Sequence, residues 1–181
     1  EQYRSRAAYK LLEAVNRYGF MKADDVVVDL GAAPGGWMQV SLKVVGEDGY
    51  VLGVDLEAIE PLNAPNVRTI IGDVTDPAIL RQIEEFLPRP ADVVVCDVSP
   101  NISGVWELDH ARQIDLAERS LQIAKSVLRS GGSFYVKVFQ GAMLNDFVRL
   151  IKRRFGFVRL IKPRASRAKS AELYVLGMGF R

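Results

Sequence analysis

The chain has 181 residues, 49% of them apolar and 25% charged, with a formal net charge of +2, a composition that argues for a globular core and against disorder. One cysteine, Cys96, excludes an intramolecular disulfide, and one histidine, His110, leaves no soft-ligand cluster, so no metal site is expected. No apolar run is long enough to span a membrane and no leader is visible at Glu1, so the expected location is cytoplasmic.

Residues 6–18 read as an amphipathic helix with Ala7, Leu11, Ala14 and Val15 on one face. The β-branched run Val26-Val27-Val28-Asp29-Leu30, stopped by Gly31, suits a buried parallel strand. A Gly/Pro loop leads into a helix from about Trp37 to Val45, and strands follow at Tyr50–Asp55 and Val67–Ile71. Asp76-Pro77 is a helix-start signal, with an acid at the N-cap and proline in the first turn, for a helix to about Leu87. Asp92–Asp97 reads as a fourth strand. A helix over 112–129 carries Ala117, Leu121, Ala124 and Leu128 on one stripe and is closed by Gly131-Gly132. A fifth strand is expected at Ser133–Phe139. The helix over 143–155 turns Leu144, Phe147, Val148, Ile151 and Phe155 inward, and strands near Phe157–Ile161 and Glu172–Met178 finish the chain.

Strands alternating with helices predict an α/β fold, a mostly parallel sheet with helices on both faces. The last two strands are joined by about ten residues without helical pattern, too few for a parallel crossover, so one strand is expected to be antiparallel. That departs from the plain dinucleotide fold and points toward a Rossmann-like methyltransferase sheet of seven strands.

The segment Asp29-Leu-Gly31-Ala-Ala-Pro-Gly35-Gly36-Trp37 joins the first strand to its helix, where open α/β sheets bind ligands. Gly31 and Gly35 allow a tight turn and close approach of backbone to ligand. The spacing is neither G-x-G-x-x-G nor a phosphate P-loop, and Pro34 removes an N–H that would cradle phosphate. The loop suits a cofactor without a pyrophosphate, such as S-adenosylmethionine. Asp55 ends the second strand and suits two ribose hydroxyls. Asp73 follows the third and suits an adenine amino group, and Asp97 follows the fourth, beside the reactive end. Each acid alone would equally serve as a cap or turn residue; three on one sheet edge favour a site.

Charge is unevenly divided. Residues 1–22 hold five basic and two acidic groups, 23–148 nine and 19, and 149–181 ten and one. The cationic ends, including Lys152-Arg153-Arg154 and Arg164–Lys169, form a phosphate-binding face if they meet in space; otherwise they are solvated.

Five segments together resemble the FtsJ family of S-adenosylmethionine-dependent ribosomal RNA 2′-O-ribose methyltransferases. They are Arg4-Ser-Arg-Ala-Ala-Tyr-Lys10-Leu, the Asp29–Trp37 loop, Asp97-Val-Ser-Pro-Asn101 with Ser103-Gly104, Gly132-Ser-Phe-Tyr-Val-Lys137-Val-Phe-Gln-Gly141, and Arg164-Ala-Ser-Arg-Ala-Lys-Ser-Ala-Glu172-Leu-Tyr. The resemblance runs from Tyr3 to Gly177 and implies one methyltransferase domain over 1–181, with RNA as partner; a monomer is one expectation, but the sequence does not fix the oligomeric state. It places the family's catalytic set on Lys10, Asp97, Lys137 and Glu172. Cofactor contacts fall on Gly35, Trp37, Asp55, Asp73 and Asp97, beside Gly31 of the loop. It also implies a uridine ribose of large-subunit rRNA as acceptor. Val-Ser-Pro-Asn stands where a Met-Ala-Pro-Asn form is familiar, and part of the RNA-binding N-terminal arm of bacterial members is expected to be missing or different here.

Transfer from a sulfonium to a hydroxyl needs alignment and a proton acceptor. An ordinary lysine, with a pKa of about 10.4, is protonated at neutral pH, so a lysine base needs burial or a second cation nearby. Lys137, inside an apolar strand, is the expected base, with Lys10 activating it, Asp97 orienting it and Glu172 holding Lys10 or the ribose. His110 reads as a loop or helix-start residue and Cys96 as a buried apolar one. Trp106, in a polar loop, either stacks on an RNA base or caps the core. A tRNA ribose methyltransferase would use the same site. A nicotinamide oxidoreductase is opposed by Ala-Ala-Pro in the loop and by Lys137, and a silent RNA-binding module by the intact catalytic set.

Overall fold

The computed structural model describes residues 2–181. In chain order the elements are α1 (Ala8–Tyr18), β1 (Val26–Leu30), α2 (Gly36–Val45), β2 (Tyr50–Asp55), β3 (Val67–Ile71), α3 (Ile79–Phe86) and β4 (Ala91–Cys96). They continue with α4 (Trp106–Val127), β5 (Leu128–Phe139), α5 (Leu144–Lys152), β6 (Phe155–Ile161) and β7 (Glu172–Phe180). The seven strands form one sheet in the order β3-β2-β1-β4-β5-β7-β6. Pairings among β1 to β5 are parallel, and β7 runs antiparallel to both β5 and β6. The short connector after β6 forces that reversal, as its length predicts.

Strand alternation divides the core in two. Val27, Val51, Val93, Val95, Tyr135, Tyr174 and Leu176 face α1 and α2. Val28, Leu52, Val94, Cys96, Phe134, Val136 and Val175 face α3, α4 and α5. Both faces being covered, β1 and β4 are buried at every position, which is why they read as apolar runs without alternation.

Three boundaries differ from the sequence reading. Helix α4 begins at Trp106, six residues before the expected start, because its first turns invert the usual pattern: Asp109 and His110 are buried while Trp106 and Leu108 are exposed. Gly131-Gly132 does not close that helix; the chain enters β5 at Leu128, and the glycines lie in an irregular stretch opposite Ala91 and Val93. Phe155 leaves the expected helix to open β6. Asp76 does act at the start of α3: its carboxylate accepts the Ala78 N–H at 2.9 Å and its carbonyl the Ile79 N–H at 3.0 Å.

At the opposite end from the loops, the buried Asp92 carboxylate accepts the Val26 N–H at 2.7 Å, pairs with Arg89 at 2.7 Å, and accepts from Arg129 Nε. Burial alone would push this carboxyl up, but the Arg89, Val26 and Arg129 hydrogen bonds together hold it below the ordinary range. Its stabilisation is therefore complete above the ordinary carboxylate pKa and disappears as pH falls through the lowered one. Asp92→Asn is expected to cost about 2 kcal/mol near pH 7, the half-exposed arginines limiting the loss. Chemical denaturation at pH 7 and pH 3 checks this: the wild-type advantage should be smaller at the lower pH.

Candidate active site

The chain reverses direction across the sheet between β1 and β4, so the loops after these strands part and leave a crevice. Asp97 N–H donates to the Leu30 carbonyl at 3.1 Å, and Gly31 N–H to the Val54 carbonyl at 2.8 Å, tying the three strand ends together. Gly31 has φ +76°, and a Cβ there would meet Val98 Cγ2 at 2.8 Å; only glycine lets the two loops touch.

The crevice is a cavity of about 390 Å³, bordered by Gly31, Ala33, Asp55, Leu56, Asp73, Val74, Asp97, Ser99 and Asn101 among others. This is the size range of small-molecule sites. Asp55 accepts the Ala33 and Glu57 N–H groups at 3.0 and 2.9 Å, one on each oxygen, leaving a lone pair on each for a ligand hydroxyl. Asp73 accepts the Thr75 N–H and hydroxyl, both at 2.8 Å and both on Oδ1; those bonds hold its carboxyl below the usual range. It is thus a turn residue and a wall of the cavity at once.

Behind the loop, Asp29 is wholly buried and neither carboxylate oxygen has a hydrogen-bond partner. Burial pushes its carboxyl far up, and Asp97 and Asp55 add to the shift. A cluster of acids facing one cavity fits a ligand bearing positive charge. S-adenosylmethionine, with a sulfonium, an ammonium and an adenosine diol, meets both the charge and the hydroxyl requirement. Asp55 would hold the ribose and Asp97 would lie beside the charged end.

The expected catalytic set converges beside this cavity. In the β5–β7 ladder Lys137 lies opposite Tyr174 and Phe139 opposite Glu172, so these four side chains share the sheet face that α1 covers. Lys10 of α1 donates to Glu172 Oε2 at 3.0 Å across 162 positions of sequence. Lys137 Nζ lies 3.5 Å from Asp97 Oδ1 and 3.8 Å from Glu172 Oε1, and hydrogen-bonds Ser99 Oγ. Tyr174 donates its hydroxyl to Asp97 at 2.8 Å. Burial pushes the Asp97 carboxyl up, opposed by Lys137 and the Tyr174 hydrogen bond. Glu172 goes the other way: burial would raise it, but Lys137, the Lys10 hydrogen bond and the other cations hold it below the ordinary range.

Other expected residues sit differently. The Trp37 side chain is outside the cavity; its indole donates to the Ala7 carbonyl at 2.7 Å and packs near Tyr135 and Tyr174. Gly35 faces Arg4, whose guanidinium donates to the Pro34, Glu60 and Pro61 carbonyls at 2.7–3.0 Å. One cation of the N-terminal segment is therefore a brace for the glycine loop. Trp106 is helical and half-exposed, close to parallel with His110 and Phe139. His110 is buried in α4, its Nε2 accepting the Met143 N–H at 3.0 Å, and Cys96 is buried against Ser120.

The two basic ends meet in part. Arg6, Lys10, Ala165, Arg167 and Glu172 line a common cleft, whereas Lys152-Arg153-Arg154 lies at the end of α5 on the other side of the sheet. Tyr174, Ser99 and Lys162 were not singled out from sequence. Lys162 Nζ donates to the Ser170 and Glu172 carbonyls at 2.6 and 2.9 Å, and its pKa is lowered by burial and by Lys10 against the pull of Glu172. A lysine directly after a strand gives no signal of that role.

Comparison with known proteins bears on the family and the fold. The family model described as FtsJ-like methyltransferase matches residues 3–180. A ribosomal RNA large subunit methyltransferase E from Methanococcus maripaludis is 48% identical over 98% of this chain and 69% of its own length. One of the same description from Methanothrix thermoacetophila is 52% identical over 98% and 68%. A crystal structure from Plasmodium falciparum, described as a ribosomal RNA methyltransferase, superposes with a TM-score of 0.87 at 29% identity, covering 98% of each chain.

Proposed function

The chain belongs to the FtsJ-like methyltransferase family, whose methyl donor is S-adenosylmethionine, and on that premise we propose that it methylates a ribose 2′-hydroxyl, on a uridine, in large-subunit ribosomal RNA. The observation that carries the reading is the meeting of Lys10, Asp97, Lys137 and Glu172 beside the acid-lined cavity. No helix among the described residues is long and apolar enough to cross a membrane.

When bound, the cofactor supplies a methyl group on a positively charged sulfur. Asp97 orients Lys137, and Ser99 fixes the same amine from the other side. Burial that pushes the Asp97 carboxyl up lowers the cost of passing a proton from Nζ to Asp97, which leaves a lone pair on the amine. Lys137 would then accept the 2′-hydroxyl proton, leaving that oxygen able to take the methyl group, whose bonding pair to sulfur would stay on the sulfur. Glu172 bridges both lysines and positions the ribose. Arg6 and Arg167, in the adjoining cleft, attract the phosphates that flank it.

The test is ribose-methylation mapping of ribosomal and transfer RNA from cells with and without the protein. It is paired with transfer of labelled methyl from the cofactor onto the undermethylated large-subunit RNA. A single 2′-O-methyl mark lost from large-subunit RNA and restored in vitro is expected. Loss of a tRNA mark, or of a base methylation, would overturn the substrate or the chemistry respectively.

A further inference from the structure

A second cavity, of about 310 Å³, shares the Ser170 and Glu172 wall with the basic cleft. Its walls are Ile102, Gly104, Trp106, Phe139 and the segment around Ser170. Ile102 is 66% exposed and Trp106 46% exposed, beside a cluster of ionic side chains. A wet tryptophan at the rim of a catalytic site is costly to leave uncovered and suits a flat aromatic ligand. Trp106 is already aligned for one: its ring lies within 18° of the Phe139 plane and 16° of the His110 plane, at centroid separations of 6.2 and 6.3 Å.

The rim is also held in place. Asp109 accepts the Ser103 N–H at 2.8 Å, the Ser103 hydroxyl at 2.7 Å and the Gly104 N–H at 3.2 Å, so the 103–104 turn is clamped onto the first turn of α4. Those hydrogen bonds hold the Asp109 carboxyl below its ordinary value. Ser170 and Glu172 border both this cavity and the cleft of Arg6, Lys10 and Arg167. An apolar aromatic slot and a cationic slot thus flank one carboxylate.

Resting on the reading of the chain as an RNA ribose methyltransferase, we propose that the cavity of Trp106, Ile102 and Phe139 is the subsite for the acceptor nucleobase. The base stacks on Trp106, its ribose lies over Glu172, and the neighbouring phosphate enters the cleft of Arg6 and Arg167. A base so held has left its own stack, so the acceptor nucleotide is unpaired or flipped out.

The experiment compares wild type, Trp106→Leu and Trp106→Phe on undermethylated large-subunit RNA, with cofactor affinity measured by calorimetry without RNA. Trp106→Leu should lower kcat/KM for RNA by about tenfold or more, the range of one base–aromatic stack, with cofactor affinity unchanged. Trp106→Phe, which keeps a π face, should recover most of the loss. Independently, decauridylate should quench the tryptophan fluorescence of the wild type and leave that of Trp106→Leu, where Trp37 remains, unchanged. RNA turnover by Trp106→Leu within about twofold of wild type, or no quenching in the wild type, overturns the subsite. Quenching by decauridylate together with a wild type that leaves large-subunit RNA unmethylated would instead overturn the substrate reading and keep the subsite.

Discussion

Lys137→Ala is expected to slow methyl transfer by about 10²–10⁴-fold, the usual contribution of a positioned proton acceptor. Lys137 does not line the proposed cofactor cavity, and its removal strips a cation from the partly buried Asp97, so cofactor affinity should hold or tighten. The decisive companion is Lys137→Arg. Arginine keeps the charge and can still pair with Asp97 and Glu172, but it does not lose its proton in water or in proteins. A role in orienting groups or attracting RNA would survive that exchange; a role in accepting a proton would not. Single-turnover rates under saturating RNA should therefore be as low for Lys137→Arg as for Lys137→Ala. Activity in Lys137→Arg within about tenfold of wild type would remove the proton-acceptor role. Melting curves separate this from unfolding, since either variant disturbs the balance of charge around Asp97.

The sheet was legible because its physics is local. Val26–Leu30 carries β-branched residues buried on both faces, Gly31 stops it, and acids end β2 and follow β3 and β4 at the edge where ligands bind. The antiparallel β7 followed from the length of one connector. What was not legible depends on contacts remote in sequence. Nothing around Tyr174 announces that its hydroxyl caps Asp97, 77 positions away, because a tyrosine in a strand reads as core. Arg4 counts as surface charge until three carbonyls are seen to surround it. The first turns of α4 were missed because they bury Asp109 and His110, each satisfied at least in part by backbone groups, and expose Trp106. Those turns form the rim beside the proposed catalytic set, where local rules are expected to give way to function. The basic segments show the same limit: composition measures charge but not its direction, and the 152–154 run lies in the other helical layer.

Gly31→Ala isolates the contact on which the cofactor crevice depends. Two costs fall on this position. The backbone has φ +76°, where an L side chain is disfavoured by about 1–2 kcal/mol. The added methyl would also sit 2.8 Å from Val98 Cγ2, 3.0 Å from Val98 N and 3.1 Å from Val98 Cα. Two of those atoms are backbone, so no rotamer change relieves the overlap, and Gly31 cannot retreat while its N–H and that of Ala32 bind the Val54 carbonyl. The segment 97–99 must move instead, and it carries both Asp97 and Ser99, which hold Lys137. The expected result is a stability loss of about 2–4 kcal/mol, a fall in cofactor affinity of at least about tenfold, and loss of transfer even at saturating cofactor. Gly19→Ala is the matched control. Gly19 has φ +63° at the C-terminus of α1, but nothing lies within 4 Å of a Cβ built there. It should show the backbone cost alone, with cofactor affinity and kcat unchanged. If calorimetry finds the two alanine variants alike in cofactor binding, the Gly31–Val98 contact does not shape the crevice, and the glycine serves only the turn.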